Sequence, residues 1–219
     1  TGYDNGVCAT TIQGLSSTST TNFNFRIESG TYTNLRFMGE TGLTSGKMTS
    51  ILGSDYDRAT KTNTLLRVTT DIVLSERGTV GNNNAVGAEA AHCTVKSGNF
   101  DLGTYGGNYQ FYFSSNSGTI YASRTLVIEG GIFSDVAGGL DSETTSINHD
   151  KFTLRIKGGT INGAVFGAAQ YANAWGNRRF VITGGDFQGW IAGGANGTQE
   201  TRGTLTGISY VYVGGNANV

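Results

Sequence analysis

The chain has 219 residues, with 35 glycines, no proline and 37% hydrophobic residues. It is too apolar for a disordered Gly/Ser linker and lacks the G-x-y period of collagen. Charged residues make up 14% and balance to a formal −1, which argues against nucleic acid or an anionic membrane surface as a partner.

No apolar run approaches the roughly 18 residues of a membrane-spanning helix, and no signal peptide is evident. Residues 1–22 are polar and read as an N-terminal cap or the end of a preceding coil, with the repeats running over 23–219. The chain starts at Thr1 without Met and stops part-way through a repeat, at "YVYVGGNANV". The natural polypeptide is therefore expected to continue beyond residue 219.

Each repeat is anchored on a pair of small residues: Ser29-Gly30, Thr70-Asp71, Ser97-Gly98, Gly130-Gly131, Gly158-Gly159, Gly184-Gly185 and Gly214-Gly215. Intervals between first members are 41, 27, 33, 28, 26 and 30 residues, the first of them spanning the polar stretch 39–64. A variable period near thirty fits stacked coils with corner loops of different lengths.

Before the pairs run "FRIE", "LRVT", "CTVK", "LVIE", "LRIK", "FVIT" and "YVYV". Side chains alternate between the two faces of a strand. One inward column is then Phe25, Leu66, Cys93, Leu126, Leu154, Phe180 and Tyr210. The other is Ile27, Val68, Val95, Ile128, Ile156, Ile182 and Tyr212. Arg26, Arg67, Thr94, Arg155 and their equivalents, Val127 and Val181 among them, are expected outside. Lys96, Glu129 and Lys157 share an outward column in which opposite charges are neighbours.

After each pair comes a further apolar column of Tyr32, Val73, Phe100, Phe133, Ile161 and Phe187, then a third short element around 35–37, 136–137, 165–166 and 191–192. Helical spacing is nowhere sustained. The predicted fold is all-β: a right-handed parallel β-helix, a solenoid of about seven coils, each of roughly 26–33 residues. Glycine recurs at the corners because it tolerates positive φ and close backbone approach.

The pattern "xVxIxGGxφxxxVxGG", where φ is apolar, is carried by 125–139, 153–167 and 179–194. It resembles the glycine-rich right-handed parallel β-helix repeats, of pectin-lyase-like architecture, in large cell-surface and adhesin-like proteins of bacteria. The likeness covers 120–219 well and 23–107 loosely, whereas 1–22 and 39–64 do not match. It implies an extracellular or cell-surface module with a structural or adhesive role, touching glycans or proteins of a host or bacterial surface. It transfers no catalytic residues. Low cysteine use and a surface rich in Ser, Thr, Asn and Gly agree with that location.

Polysaccharide binding or cleavage by a lyase or hydrolase is the alternative. "RIK" at 155–157 matches one polygalacturonase motif, but that family's other signatures are missing, and Arg155 and Lys157 read as outward strand residues. Glycoside hydrolysis needs two carboxylates about 5 to 9.5 Å apart. The acid pairs Asp55/Asp57 and Asp141/Glu143 lie in polar loops and read as solvated, so no catalytic residue is assigned. The same four residues are the weak candidates for calcium, which takes six to eight oxygens; no other cofactor is expected. His92 and His149 lack the neighbours of a zinc site.

Cys93 falls in an inward column, where a buried thiol is common. A disulfide with Cys8 requires the N-terminal segment to fold back beside that coil. The corner loop "QYANAWGNRR" concentrates Tyr171, Asn173, Trp175, Asn177, Arg178 and Arg179, with Trp190 on the following copy. Aromatic faces stack on sugar rings, and amides and guanidiniums reach hydroxyls or acidic substituents. The plainer reading is that Tyr171 and Trp175 only fold the loop onto the rod. The last strand leaves an edge that invites continuation of the coil or end-to-end self-association.

Overall fold

The computed structural model describes residues 3–4, 7–13, 23–27, 30–38, 47–53, 66–68, 72–75, 89–101, 110–113, 123–137, 148–149, 151–167, 174–175, 177–194 and 205–219. Side chains are described at 27, 51–53, 92–101, 125–136, 152–167, 177–194 and 206–219. Among the described residues every regular element is a strand. Nineteen strands form one sheet, and a separate sheet has three. Pairing is parallel throughout, apart from Tyr3–Asp4 against the start of Val7–Gln13. The large sheet curls as a half-barrel and does not close into a solenoid.

Three ladders run through the large sheet. The first joins Phe23–Ile27, Lys47–Leu52, Glu89–Val95, Ser123–Ile128, Lys151–Ile156, the start of Arg178–Phe187 and the start of Ser209–Asn218. The second includes Leu66–Val68, Asn99–Phe100, Ile132–Phe133 and Thr160–Ile161, followed by Asp186 and Phe187. The third includes Ile72–Ser75, Gln110–Phe113, Asp135–Ala137, Val165–Phe166 and Ile191–Ala192. The chain visits the ladders in the same order in successive tiers. Residues 7–13 also belong to the large sheet, pairing with Gly30–Met38.

Register sets the core. Cys93, Leu126, Leu154 and Phe180 lie in line, as do Val95, Ile128, Ile156 and Ile182, and all eight are fully buried. Phe100 and Phe133 stack at 4.9 Å across neighbouring tiers of the second ladder. Burial of each such side chain stabilises the fold by about 1.5–3 kcal/mol. Between these columns Arg155, Lys157 and Thr183 are exposed, the alternation a one-sided sheet demands. Val127 departs from the expectation: it occupies the outward column between Thr94 and Arg155, yet it is buried.

The register corrects the sequence alignment at two places. Leu66 and Val68 do not continue the first ladder; Leu66–Val68 pairs with Gly30–Tyr32, in the second. Val73 accordingly moves from the second ladder to the third. The vacant tier is filled from the supposedly unmatched stretch 39–64: Ser50 aligns with Cys93 and Leu52 with Val95. At the C-terminus Val211 and Val213, not Tyr210 and Tyr212, align with Phe180 and Ile182. The anchor misplaces this strand because Gly214 and Gly215 fall at an irregularity opposite Thr183, while Gly184 and Gly185 align with Asn216 and Ala217. Such a bulge slides a glycine anchor out of step, and a one-residue slip exchanges the faces.

The corners explain the glycine pairs. Gly159 has φ of +101°, and a Cβ there would sit 2.9 Å from the carbonyl oxygen of Gly131 one tier away. At Gly158 it would meet the Glu129 carbonyl oxygen at 2.7 Å. A side chain at either position would force neighbouring tiers apart.

Candidate functional site

A groove of about 270 Å³ opens where the first ladder begins in its last tiers. Asn177, Arg178 and Arg179 line one part, Phe152 and Thr153 another, and Ile208 and Tyr210 the third. Parallel register brings them together: Phe152 aligns with Arg178, Thr153 with Arg179, and Arg179 with Tyr210. The nominated loop residues Asn177, Arg178 and Arg179 thus share one concave surface with residues from the tiers on either side.

Backbone bonds fix the groove. Phe152 N donates to the Asn177 carbonyl at 3.3 Å, and Arg178 N donates to that of Ile208 at 2.8 Å. Ile208 N donates to Asn177 Oδ1 at 3.0 Å, tying the side chain to the next tier. The carboxamide nitrogen of Asn177 carries two donors. Arg178 is buried, whereas Arg179 is exposed with Cζ 5.7 Å from the centroid of the Tyr210 ring. Stacking of this kind is worth about 0.5–1 kcal/mol at an exposed site, and it orients the guanidinium. An aromatic face beside a held cation and an amide is chemistry suited to a sugar carrying hydroxyls or an acidic group.

The other nominated residues fall elsewhere. Trp190 is exposed and does not line the groove; it stands edge-on to Phe166 at 4.9 Å, beside the third ladder. Ala174–Trp175 pairs with Asn148–His149 and with Leu205–Thr206 in the three-stranded sheet, so three corner segments stack as a small ladder of their own. The Trp175 side chain and the whole of Tyr171 lie outside the described residues, as do Asp55, Asp57, Asp141 and Glu143. Cys93 is buried in its inward column, and Cys8 aligns with Tyr32 at the start of the second ladder, its side chain outside the described residues.

Described carboxylates serve the corners and the outer face. Asp135 Oδ1 accepts from Ala164 N at 2.7 Å, Asp101 Oδ2 from Asn162 Nδ2 at 2.5 Å, and Asp186 Oδ1 from Asn218 Nδ2 at 3.3 Å. Among the described residues no three His, Cys, Asp or Glu side chains converge as metal ligands, and no helix is long and apolar enough to cross a membrane.

Sequence reasoning missed Phe152, Thr153, Ile208 and Tyr210. The available signal was the pattern "SYVYV", which places Tyr210 beside Arg179 once the valines are set inward. No family model, curated protein or solved structure matches the chain.

Proposed function

We propose that the chain is a stretch of right-handed parallel β-helix acting as a non-catalytic structural or adhesive module of a secreted or cell-surface protein. In this reading it contacts surface glycans through the groove at Asn177, Arg179 and Tyr210. The repeated three-ladder order supports the architecture. The observation that carries the binding role is the Arg179–Tyr210 stack beside the Asn177 carboxamide, on an outward face, with Asp101, Glu129, Asp135 and Asp186 engaged elsewhere. Arg179 supplies a fixed charge for an acidic substituent, Tyr210 a surface for a sugar ring, and Asn177 donors for hydroxyls.

A glycan array probed with the wild-type chain, Arg179→Ala and Tyr210→Ala tests this. The expected result is wild-type binding to a subset rich in acidic sugars, reduced at least about tenfold by either substitution, as losing one charged or stacking contact implies. Unchanged binding in both variants, or no wild-type binding to any glycan, rejects the groove.

A further inference from the structure

The outward face of the first ladder is charged out of proportion to the chain. The whole sequence balances 15 Lys and Arg against 16 Asp and Glu. On the four tiers from Glu89–Val95 to the start of Arg178–Phe187, the described outward positions carry Lys96, Arg155, Lys157 and Arg179 but a single acid, Glu129. Each of these four strands is paired on both edges, so the face belongs to the middle of the sheet. Arg155, Lys157 and Arg179 are exposed on it.

Register sets the spacing of these cations. Arg179 aligns with Thr153, and Arg155 follows two residues after Thr153 on the same face. Such diagonal neighbours lie about 7–8 Å apart, and Lys157 is one further step of about 7 Å along the chain. Thr153 therefore stands between two arginines, and it lines the groove together with Arg179. Lys157 bonds Glu129 at 3.0 Å, but an ammonium has three donors and one such bond does not exhaust it. Groove and cationic face are thus continuous through Arg179 and Thr153.

We propose that this face, from Arg179 over Arg155 to Lys157, is an extended binding surface for a linear sulfated polysaccharide. The proposal rests on the glycan reading of the groove and names the class of its ligand. Cations at regular steps on a rigid sheet match a polymer with an anion on successive sugars. A sulfate ester presents three terminal oxygens, enough to accept from both arginines and from the Thr153 hydroxyl between them, whereas a carboxylate presents two. The described outward positions of these four tiers hold no Phe, Tyr or Trp, and so lack the stacking platforms on which single-stranded nucleic acid is held.

Calorimetric titration of the 219-residue chain with size-defined heparin fragments tests the surface, with polygalacturonate and single-stranded DNA as comparison ligands. The expected result is saturable, salt-sensitive binding of the sulfated fragments, at least about fivefold tighter than either comparison ligand. Arg155→Ala and Lys157→Ala are each expected to weaken it about three- to fivefold with unchanged circular dichroism, as losing one exposed charge contact implies. If both variants weaken binding and Tyr210→Ala does not, the face stands and the aromatic part of the groove fails. If Tyr210→Ala weakens binding and neither of the two does, the groove stands and the extended surface is overturned. No binding of the sulfated fragments, or equally tight binding of polygalacturonate or DNA, also overturns the proposal.

Discussion

The Lys157 ammonium lies 3.0 Å from Glu129 Oε1, joining the same outward position on two adjacent tiers. Their order along the column was legible as alternating charge, and the parallel register makes the two residues neighbours. Lys157 is about half exposed, so water and salt screen the pair. A double-mutant cycle with Lys157→Ala and Glu129→Ala is expected to give a coupling of about 0.2–1 kcal/mol, shrinking as salt is added. A coupling several times larger would mean that the pair is not solvated as its exposure indicates.

Alternation along Lys151–Ile156 makes a sharper contrast. Leu154 is fully buried between Leu126 and Phe180, whereas its neighbour Arg155 is exposed. Leu154→Ala is expected to destabilise by about 2–5 kcal/mol, through lost transfer energy and the cavity left behind. Arg155→Ala is expected to stay within about 0.5 kcal/mol. Chemical denaturation of both variants checks this, and equal effects would contradict the register.

How much was legible follows from the same strands. Where a strand has two large apolar inward residues, as in "LVIE", "LRIK" and "FVIT", the sequence alone fixed the columns and the third element after each corner. It misled where an inward position is polar. Ser50 sits in line with Cys93, so "KMTSIL" shows a weak apolar rhythm and "LRVT" took its place in the alignment. The terminal bulge had the same effect by geometry, hiding Tyr210 from the groove it lines. The groove itself joins residues from three tiers. Proximity of that kind depends on register between strands about thirty residues apart, which no local motif encodes.

His92 links the first ladder to pH. Its ring is partly buried, and Nε2 lies 3.2 Å from Thr94 Oγ1. Burial, assisted by the Arg155 charge, holds its pKa below the ordinary value of 6.5. The folded state therefore favours neutral imidazole, and the unfolded chain takes up a proton first as pH falls. The resulting stability is present in full above about 6.5. It declines as pH drops towards the folded pKa and levels off below it. Denaturant titrations from neutral to mildly acidic pH should show this slope in the wild type and a shallower one in His92→Gln. Identical slopes would remove His92 as the source.

At the corner after the second ladder, one carboxylate holds two tiers together. Asp135 Oδ1 accepts the Ala164 backbone N–H at 2.7 Å, and a Cβ at Gly163 would collide with the same oxygen. Removing the acceptor leaves a largely buried N–H without it, so Asp135→Ala is expected to cost about 1–3 kcal/mol. Asp135→Asn keeps a carbonyl oxygen in place and should recover much of that loss. Gly163→Ala should be destabilising in the wild type, because the new methyl displaces the carboxylate, and less so on the Asp135→Ala background, where part of the obstacle is gone. The four stabilities form a cycle with non-additive coupling. Additive losses would show that the carboxylate and the glycine do not share this space in solution.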